Sequence, residues 1–355
     1  MYPVCQSQSD LRARRDGRSR DRRKAKILAS HTRSRVGFRQ EMLRSTIVTS
    51  TVAAACVLVY QIANSSWLTH ARRFMRRLTV HPRLALLNPK FKDSDYSANV
   101  QTMLEELFDS IGARVAIVEY DICETPFEVS DDGNFDGFII PDCRASAYDK
   151  DIPWIGSLKS TVKRLHEKRR PLLGICFGHQ VVAQALGGRV EENAKGKRGV
   201  GAASVLFDVT QLGASLGLGE AGRAKVSLLY HHYDIVTRLP SCAANLGCSA
   251  TAPAHAAALF ASATAARTAV TRGTARGPNR PHGITLQGQP EYSTPTGVRV
   301  LEDVLRVSDA PLMGDAWLAE RVSTIRDEAT TAHAHAMTRA AVALLWPEAL
   351  AVASK

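Results

Sequence analysis

The sequence predicts an α/β fold, a doubly wound, mostly parallel sheet with helices on both faces. Three observations carry this. From Arg83 onward, short apolar runs without polar alternation recur, as strands buried on both faces do. Between them lie stretches whose apolar residues return at helical spacing. At residues 174–178 a glycine-bracketed cysteine joins one such run directly to one such helix.

Taken in order, residues 84–87 form the first strand. Val100, Met103, Leu104, Leu107, Phe108 and Ile111 then mark one face of a helix, and Gly112 ends it as a C-terminal cap. Residues 115–118 are the second strand. After a polar, acidic loop, residues 138–140 make the third, and Trp154, Ile155, Leu158, Val162 and Leu165 line the next helix. Residues 172–175 are the strand that enters the cysteine turn. Strand-like segments follow at 226–229 and 284–286, then helices containing Val298, Leu301, Val304 and Leu305 and a final Ala-rich one. Residues 262–280 (SATAARTAVTRGTARGPNR) lack a sustained apolar stripe and are expected to be an inserted surface loop. No internal repeat is evident.

The 355 residues, 45% hydrophobic, suffice for one large domain, expected over residues 78–355, plus an extension over 1–77. Seven cysteines, Cys5, Cys56, Cys123, Cys143, Cys176, Cys242 and Cys248, are odd in number and never spaced as C-x-x-C. They indicate neither a disulfide framework nor a zinc site, so a reducing, cytoplasmic setting is expected, with no metal and no cofactor. Much of the net charge of +12 sits at the start, where Arg12, Arg14, Arg15, Arg18, Arg20, Arg22, Arg23, Lys24 and Lys26 form a dense run. It reads as a disordered, solvated tail; an RNA, anionic-lipid or targeting role is the alternative.

Residues 46–63 (TIVTSTVAAACVLVYQIA) carry no charge, are about one membrane span long, and lie between Arg44 and Arg72. Thr46, Thr49, Ser50 and Gln61 weaken that reading, and basic flanks on both sides assign no orientation. A membrane anchor is therefore the alternative localisation. The stretch begins too late for an ordinary cleaved signal peptide, and Met75 is an alternative functional start.

The segment PLLGICFGHQVVAQALGG, residues 171–188, carries the chemistry. Four apolar residues enter from a buried strand, and Gly174 and Gly178 permit the crowded turn that pushes Cys176 out at the strand's end. The helix that starts at once, with Val181, Val182, Ala185 and Leu186 on its apolar face, places its positive end under the sulfur. That position favours thiolate, and the Phe177 N–H can receive a developing oxyanion.

GICFGHQ, residues 174–180, resembles the nucleophile motif of the class I glutamine amidotransferases. FIIPDCRASAYDKDIPWIGSLKSTVKRLH, LLYHHYDIVTRLP and ITLQGQPEY resemble, in the right order, three further blocks of the stand-alone branch, which includes GMP-synthase-glutaminase-like proteins and γ-glutamyl peptidases. The resemblance covers residues 83–306, interrupted by the Ala/Arg-rich segment. It implies a flavodoxin-like fold and a reaction in which the cysteine attacks the side-chain amide of glutamine. A histidine protonates the departing ammonia, and water cleaves the γ-glutamyl thioester.

In that family the histidine and an orienting glutamate come from an H-P-E motif, whereas this chain has Gln289, Pro290 and Glu291. A glutamine amide neither takes nor gives a proton near neutral pH, so the acid–base role at 289 is vacant. His231, His232 and His282 are the candidates to fill it. His232, Tyr233 and Asp234 match the family's H-x-D segment beside the glutamine pocket, His282 reads as a loop residue, and His179 and Gln180 belong to the elbow helix. A second departure is Pro141-Asp142-Cys143, where the family places an oxyanion-hole glycine. Pro141 has no N–H to donate and Asp142 brings a negative charge.

The resemblance thus implies Cys176-dependent hydrolysis of glutamine or γ-glutamyl compounds, impaired at two points, with the ammonia either passed to an accepting partner in trans or simply released. No phosphate-binding loop signature is present. The alternative is a catalytically inactive pseudoenzyme acting as a binding or scaffold protein. A nucleic-acid role rests on charge alone, and no specific nucleic-acid partner is expected.

Overall fold

The computed structural model describes residues 81–91, 95–127, 133–193, 199–209, 211–217, 222–248, 252–274, 277–325 and 328–350, all within the unit spanning residues 75–355. The basic extension, the 46–63 segment and the alternative start at Met75 lie outside the described residues. Among those described, no helix is long and apolar enough to cross a membrane.

The chain runs β1 (Arg83–Asn88), α1 (Asp95–Ser110), β2 (Ala116–Asp121), β3 (Gly137–Ile140), α2 (Pro153–Glu167), β4 (Leu172–Ile175) and α3 (Phe177–Ala185). It continues through β5 (Arg189–Glu192), β6 (Gly199–Val209), α4 (Gln211–Ser215), β7 (Gly222–His232), β8 (Asp234–Arg238), β9 (Ala243–Gly247) and β10 (Ala256–Leu259). The last part holds α5 (Ala263–Arg272), β11 (Gly283–Leu286), α6 (Pro295–Val304), a π-helical turn (Leu305–Asp309), α7 (Ala310–Met313), α8 (Asp315–Ile325) and α9 (Glu328–Leu345).

Seven strands form the central sheet in the order β2-β1-β3-β4-β11-β10-β9. The first five are parallel to their neighbours, and β10 and β9 add on antiparallel. This is the expected doubly wound sheet. Its rows run across the strands: Leu86 stands opposite Ile139, Ile139 opposite Leu173, and Leu173 opposite Ile284. Leu84, Leu86, Ile139, Leu173 and Ile284 face a core shared with α1, α6 and α9, while Ala85, Leu87, Phe138, Ile140 and Leu172 face one shared with α2 and α3. The uninterrupted apolar runs in the sequence follow from this burial on both faces.

Two segments differ from the sequence expectation. Residues 226–229 are strand, but they belong to β7, which pairs with β6 in a separate two-stranded ribbon and not in the central sheet. Residues 262–280, expected to be a loop, contain the two-and-a-half-turn helix α5. Ser262 caps it, its hydroxyl accepting from the Ala265 N–H at 3.2 Å, and Gly273 closes it in the left-handed conformation, φ 59°. Its buried face is made by Ala266 and Ala269, residues too small to show as a hydrophobic stripe.

β2 and β3 lie on either side of β1, so the winding direction reverses there, and the carboxyl ends of the strands beyond it form the crevice where such folds place a site. Asp142 follows β3, Cys176 follows β4, and Gln289 follows β11. Three segments far apart in the chain thus converge on one edge.

Candidate active site

Cys176 sits at the turn between β4 and α3 with φ 50° and ψ −103°. It is one of two non-glycine residues at positive φ among those described, a strained geometry of about 1–3 kcal/mol that the surroundings must enforce. They do so by steric closure. A Cβ on Gly178 would run into the Ile140 carbonyl, and one on Gly174 would stand 2.9 Å from the Gly178 carbonyl. The Cys176 N–H donates to Leu286 O at 2.8 Å, and the Gln180 N–H to Cys176 O at 3.1 Å, which ties the turn to β11 and starts the helix.

The thiol's surroundings do not favour thiolate. Burial pushes the Cys176 thiol well above its usual range, and the carboxyl groups of Asp142 and Glu291 push it the same way. The positive helix end is outweighed by burial and by the two acidic side chains. Gln287 Nε2 donates to Sγ at 3.5 Å, and the His231 carbonyl stands 4.0 Å from Sγ.

Asp142 lies against the N-terminus of α3. Its Oδ1 accepts from the Phe177 N–H at 3.3 Å, its Oδ2 from Gln289 Nε2 at 2.8 Å, and its own N–H donates to the Tyr96 hydroxyl at 3.2 Å. Burial raises its carboxyl pKa, and hydrogen bonding by the Cys176 thiol and the field of His231 pull it back. The expected donor at Phe177 is therefore in place, and a carboxylate of the chain itself sits on it.

Gln289 is fully buried and committed at both ends, its Oε1 accepting from the His231 N–H at 2.7 Å and its amide nitrogen bound to Asp142. Glu291 does not touch it. Glu291 Oε1 accepts from the Tyr96 hydroxyl at 2.8 Å, Oε2 has no partner among the described residues, and burial lifts the carboxyl pKa to about 8.

The other predicted pocket residues divide. Gln180 donates to Asp234 O at 2.8 Å and so braces the loop. His232 is buried, its Nδ1 3.1 Å from Asp234 O, and burial lowers its pKa to about 4. The Asp234 carboxylate accepts from Tyr148 at 3.1 Å. His282 lies at the opposite end of the sheet, 3.1 Å from His166, and is not part of the site. His179 is tied to Thr285 at 2.8 Å and Ala254 O at 3.2 Å behind the elbow. Asp142, Cys176, Gln180, His231, His232 and Asp234 border one cavity of about 320 Å³, open to solvent, which Arg144 and Ser308 also line. Among the described residues no group of three His, Cys or acidic side chains converges to hold a metal ion.

Sequence reasoning missed Tyr96, which reads as one more apolar position on α1, and Gln287, whose place in ITLQGQPEY was its only signal. It also missed Asp309, which bonds the His231 ring and has no motif around it.

Residues 94–262 match the family described as Glutamine amidotransferase class-I. That stretch includes Asp142 and Cys176 and ends before Gln289. Over 117 residues the chain is 32% identical to Gamma-glutamyl peptidase 4 of Arabidopsis thaliana, covering 32% of this chain and 44% of that protein. Over 167 residues it is 29% identical to the glutamine-hydrolyzing GMP synthase of Roseobacter denitrificans, covering 46% of this chain and 28% of that one. The chain thus spans less than half the length of these curated relatives. In fold it is similar to the crystal structure of a glutamine amidotransferase from Thermotoga maritima, with a TM-score of 0.54 at 14% identity over 75% of this chain and 98% of that one.

Proposed function

Because residues 94–262 match the class I glutamine amidotransferase family, we propose that the chain hydrolyses the side-chain amide of glutamine or of γ-glutamyl compounds through Cys176, far more slowly than a site with an intact triad. The observation that carries this reading is the elbow. A cysteine held at φ 50° by glycines that admit no Cβ, over a helix N-terminus and beside a cavity, is a costly arrangement suited to a nucleophile. A cavity of about 320 Å³ suits one small polar substrate.

The suppression has two sources. Loss of a positioned acid–base group at 289 removes about 10² to 10⁴ in rate. A carboxylate on the Phe177 N–H blocks an oxyanion donor, a further loss of about 10²- to 10³-fold, although such losses do not simply multiply. Ammonia released at the cavity mouth goes to solvent or to an acceptor in trans. The free thiol suits a reducing, cytoplasmic setting, or a membrane-tethered one if residues 46–63 anchor the chain.

The Asp142 contacts favour a second reading, a binding protein. A site whose oxyanion donor is occupied selects ligands that present N–H groups to a carboxylate, and binding then needs no turnover.

Ammonia and glutamate release from glutamine and from a γ-glutamyl dipeptide, measured on the full chain and on Cys176→Ala and Gln289→His, decides between them. Slow release that disappears in Cys176→Ala is expected. No release from the unchanged chain, together with calorimetric binding of either compound, supports the binding reading.

A further inference from the structure

We propose that His231, oriented by Asp309, is the acid–base residue of this cavity and supplies what position 289 lacks. The inference rests on the hydrolase reading above. His231 lines the cavity with Cys176, its side chain 10% exposed, and its Nε2 lies 3.1 Å from Oδ2 of Asp309, which is 1% exposed. The Tyr233 hydroxyl donates to the other oxygen of Asp309 at 3.3 Å. With Nε2–H donating to Asp309, the tautomer leaves Nδ1, bonded to no described residue, to exchange protons.

Three features place the dyad. Asp309 ends the π-helical turn Leu305–Asp309, whose widened winding changes the direction of the residues at its end, a device that recurs at functional sites. Arg144 bonds Ser308 at 2.6 Å and so joins that turn to the loop carrying Asp142. Gln289 holds the His231 N–H at 2.7 Å, so the residue that replaced the family histidine fixes the backbone of the histidine proposed to act in its stead. Asp309 bonds the ring, Tyr233 stands edge-on to it at 5.8 Å, Asp142 and His232 lie within its field, and Cys143, Arg144, Cys176 and Asp234 line the same cavity.

In the reaction, the Cys176 thiol proton passes to Nδ1 as Sγ bonds to the carbonyl carbon. The C–N bond breaks, and the departing nitrogen keeps the electron pair and takes that proton from Nδ1. Water then adds to the thioester carbonyl carbon, the C–S bond breaks with its electron pair left on Sγ, the water's proton moves through Nδ1 to Sγ, and the γ-carboxyl product leaves. Asp309 is a positioning residue.

The alternative is a structural ion pair that fastens the end of β7 to the turn after α6. To separate the two, the rate at which iodoacetamide alkylates Cys176 is followed by peptide mass spectrometry across pH, alongside ammonia release, on the full chain. The variants are His231→Gln, Asp309→Asn and Asp309→Glu, each checked for melting temperature. In His231→Gln the alkylation rate at neutral pH is expected to fall about tenfold, and kcat to fall about 10²-fold with KM little changed. Asp309→Asn is expected to fall about tenfold, in line with loss of a carboxylate behind a histidine, and Asp309→Glu to recover most of it. Unchanged alkylation and release in a folded His231→Gln overturn the proposal while leaving the hydrolase reading intact. If the unchanged chain releases no ammonia but His231→Gln still slows the alkylation of Cys176, the hydrolase reading falls and the proton link between His231 and Cys176 stands.

Discussion

The two walls of the cavity differ in what holds them. On the Cys176 wall, backbone meets backbone: Gly174 and Gly178 are packed so closely that neither admits a side chain, and β11 bonds the turn through Leu286. On the Asp142–Gln289 wall, side chain meets side chain, with Asp142 held by the Phe177 N–H, Gln289 and the Cys176 thiol. The first arrangement tolerates no change without displacing a strand. The second accommodates new chemistry as long as every buried polar group finds a partner, and Asp142 and Gln289 satisfy each other. Steric closure thus fixes the geometry of the Cys176 turn, while hydrogen-bond complementarity holds Asp142 and Gln289 together as a pair.

The largest test of this contrast changes the pair together. Asp142→Gly with Gln289→His is expected to raise Cys176-dependent ammonia release about 10²-fold, mainly by freeing the Phe177 N–H as a donor. Gln289→His alone gains much less, because Asp142 still occupies the Phe177 N–H. Equal gains from the single and double changes would break the pairing argument.

On the other wall, Gly178→Ala drives a methyl group into the Ile140 carbonyl and is expected to cost about 3 kcal/mol in urea unfolding, at the upper end for overpacking. A neutral outcome would mean that the elbow is looser than its contacts imply.

A pH test follows from Glu291, whose pKa is raised by burial from 4.5 to about 8. Between those values the folded chain holds a proton that the unfolded chain has lost, so this group's contribution falls as pH rises through that window and is flat above it. Urea unfolding at several pH values is expected to show that decline, and Glu291→Gln to flatten it by a few kcal/mol at most.

The smallest effect serves as the control away from both walls. Ser262→Ala removes the cap of α5 and is expected to cost about 1 kcal/mol of stability while leaving the alkylation rate of Cys176 unchanged.

The sequence by itself determined whatever is signalled by neighbours in the chain. Unbroken apolar runs predict strands covered on both faces, the residues 174–178 predict the elbow, and Gln289 in its motif announces a missing proton carrier. The α5 helix escaped because alanines make its buried face, and β6 and β7 because a strand's period does not say which sheet it joins. The state of the site was decided only by the tertiary structure. Asp142 meets Gln289 across 147 residues, Tyr96 meets Glu291 across 195, and His231 meets Asp309 across 78. The thiol expected to ionise readily at a helix N-terminus is instead raised well above its usual range, by burial first and then by the carboxyl groups of Asp142 and Glu291 that the fold brings beside it. Backbone geometry is encoded locally by which residues fit a turn, whereas electrostatics is set by groups that only the folded chain brings within reach.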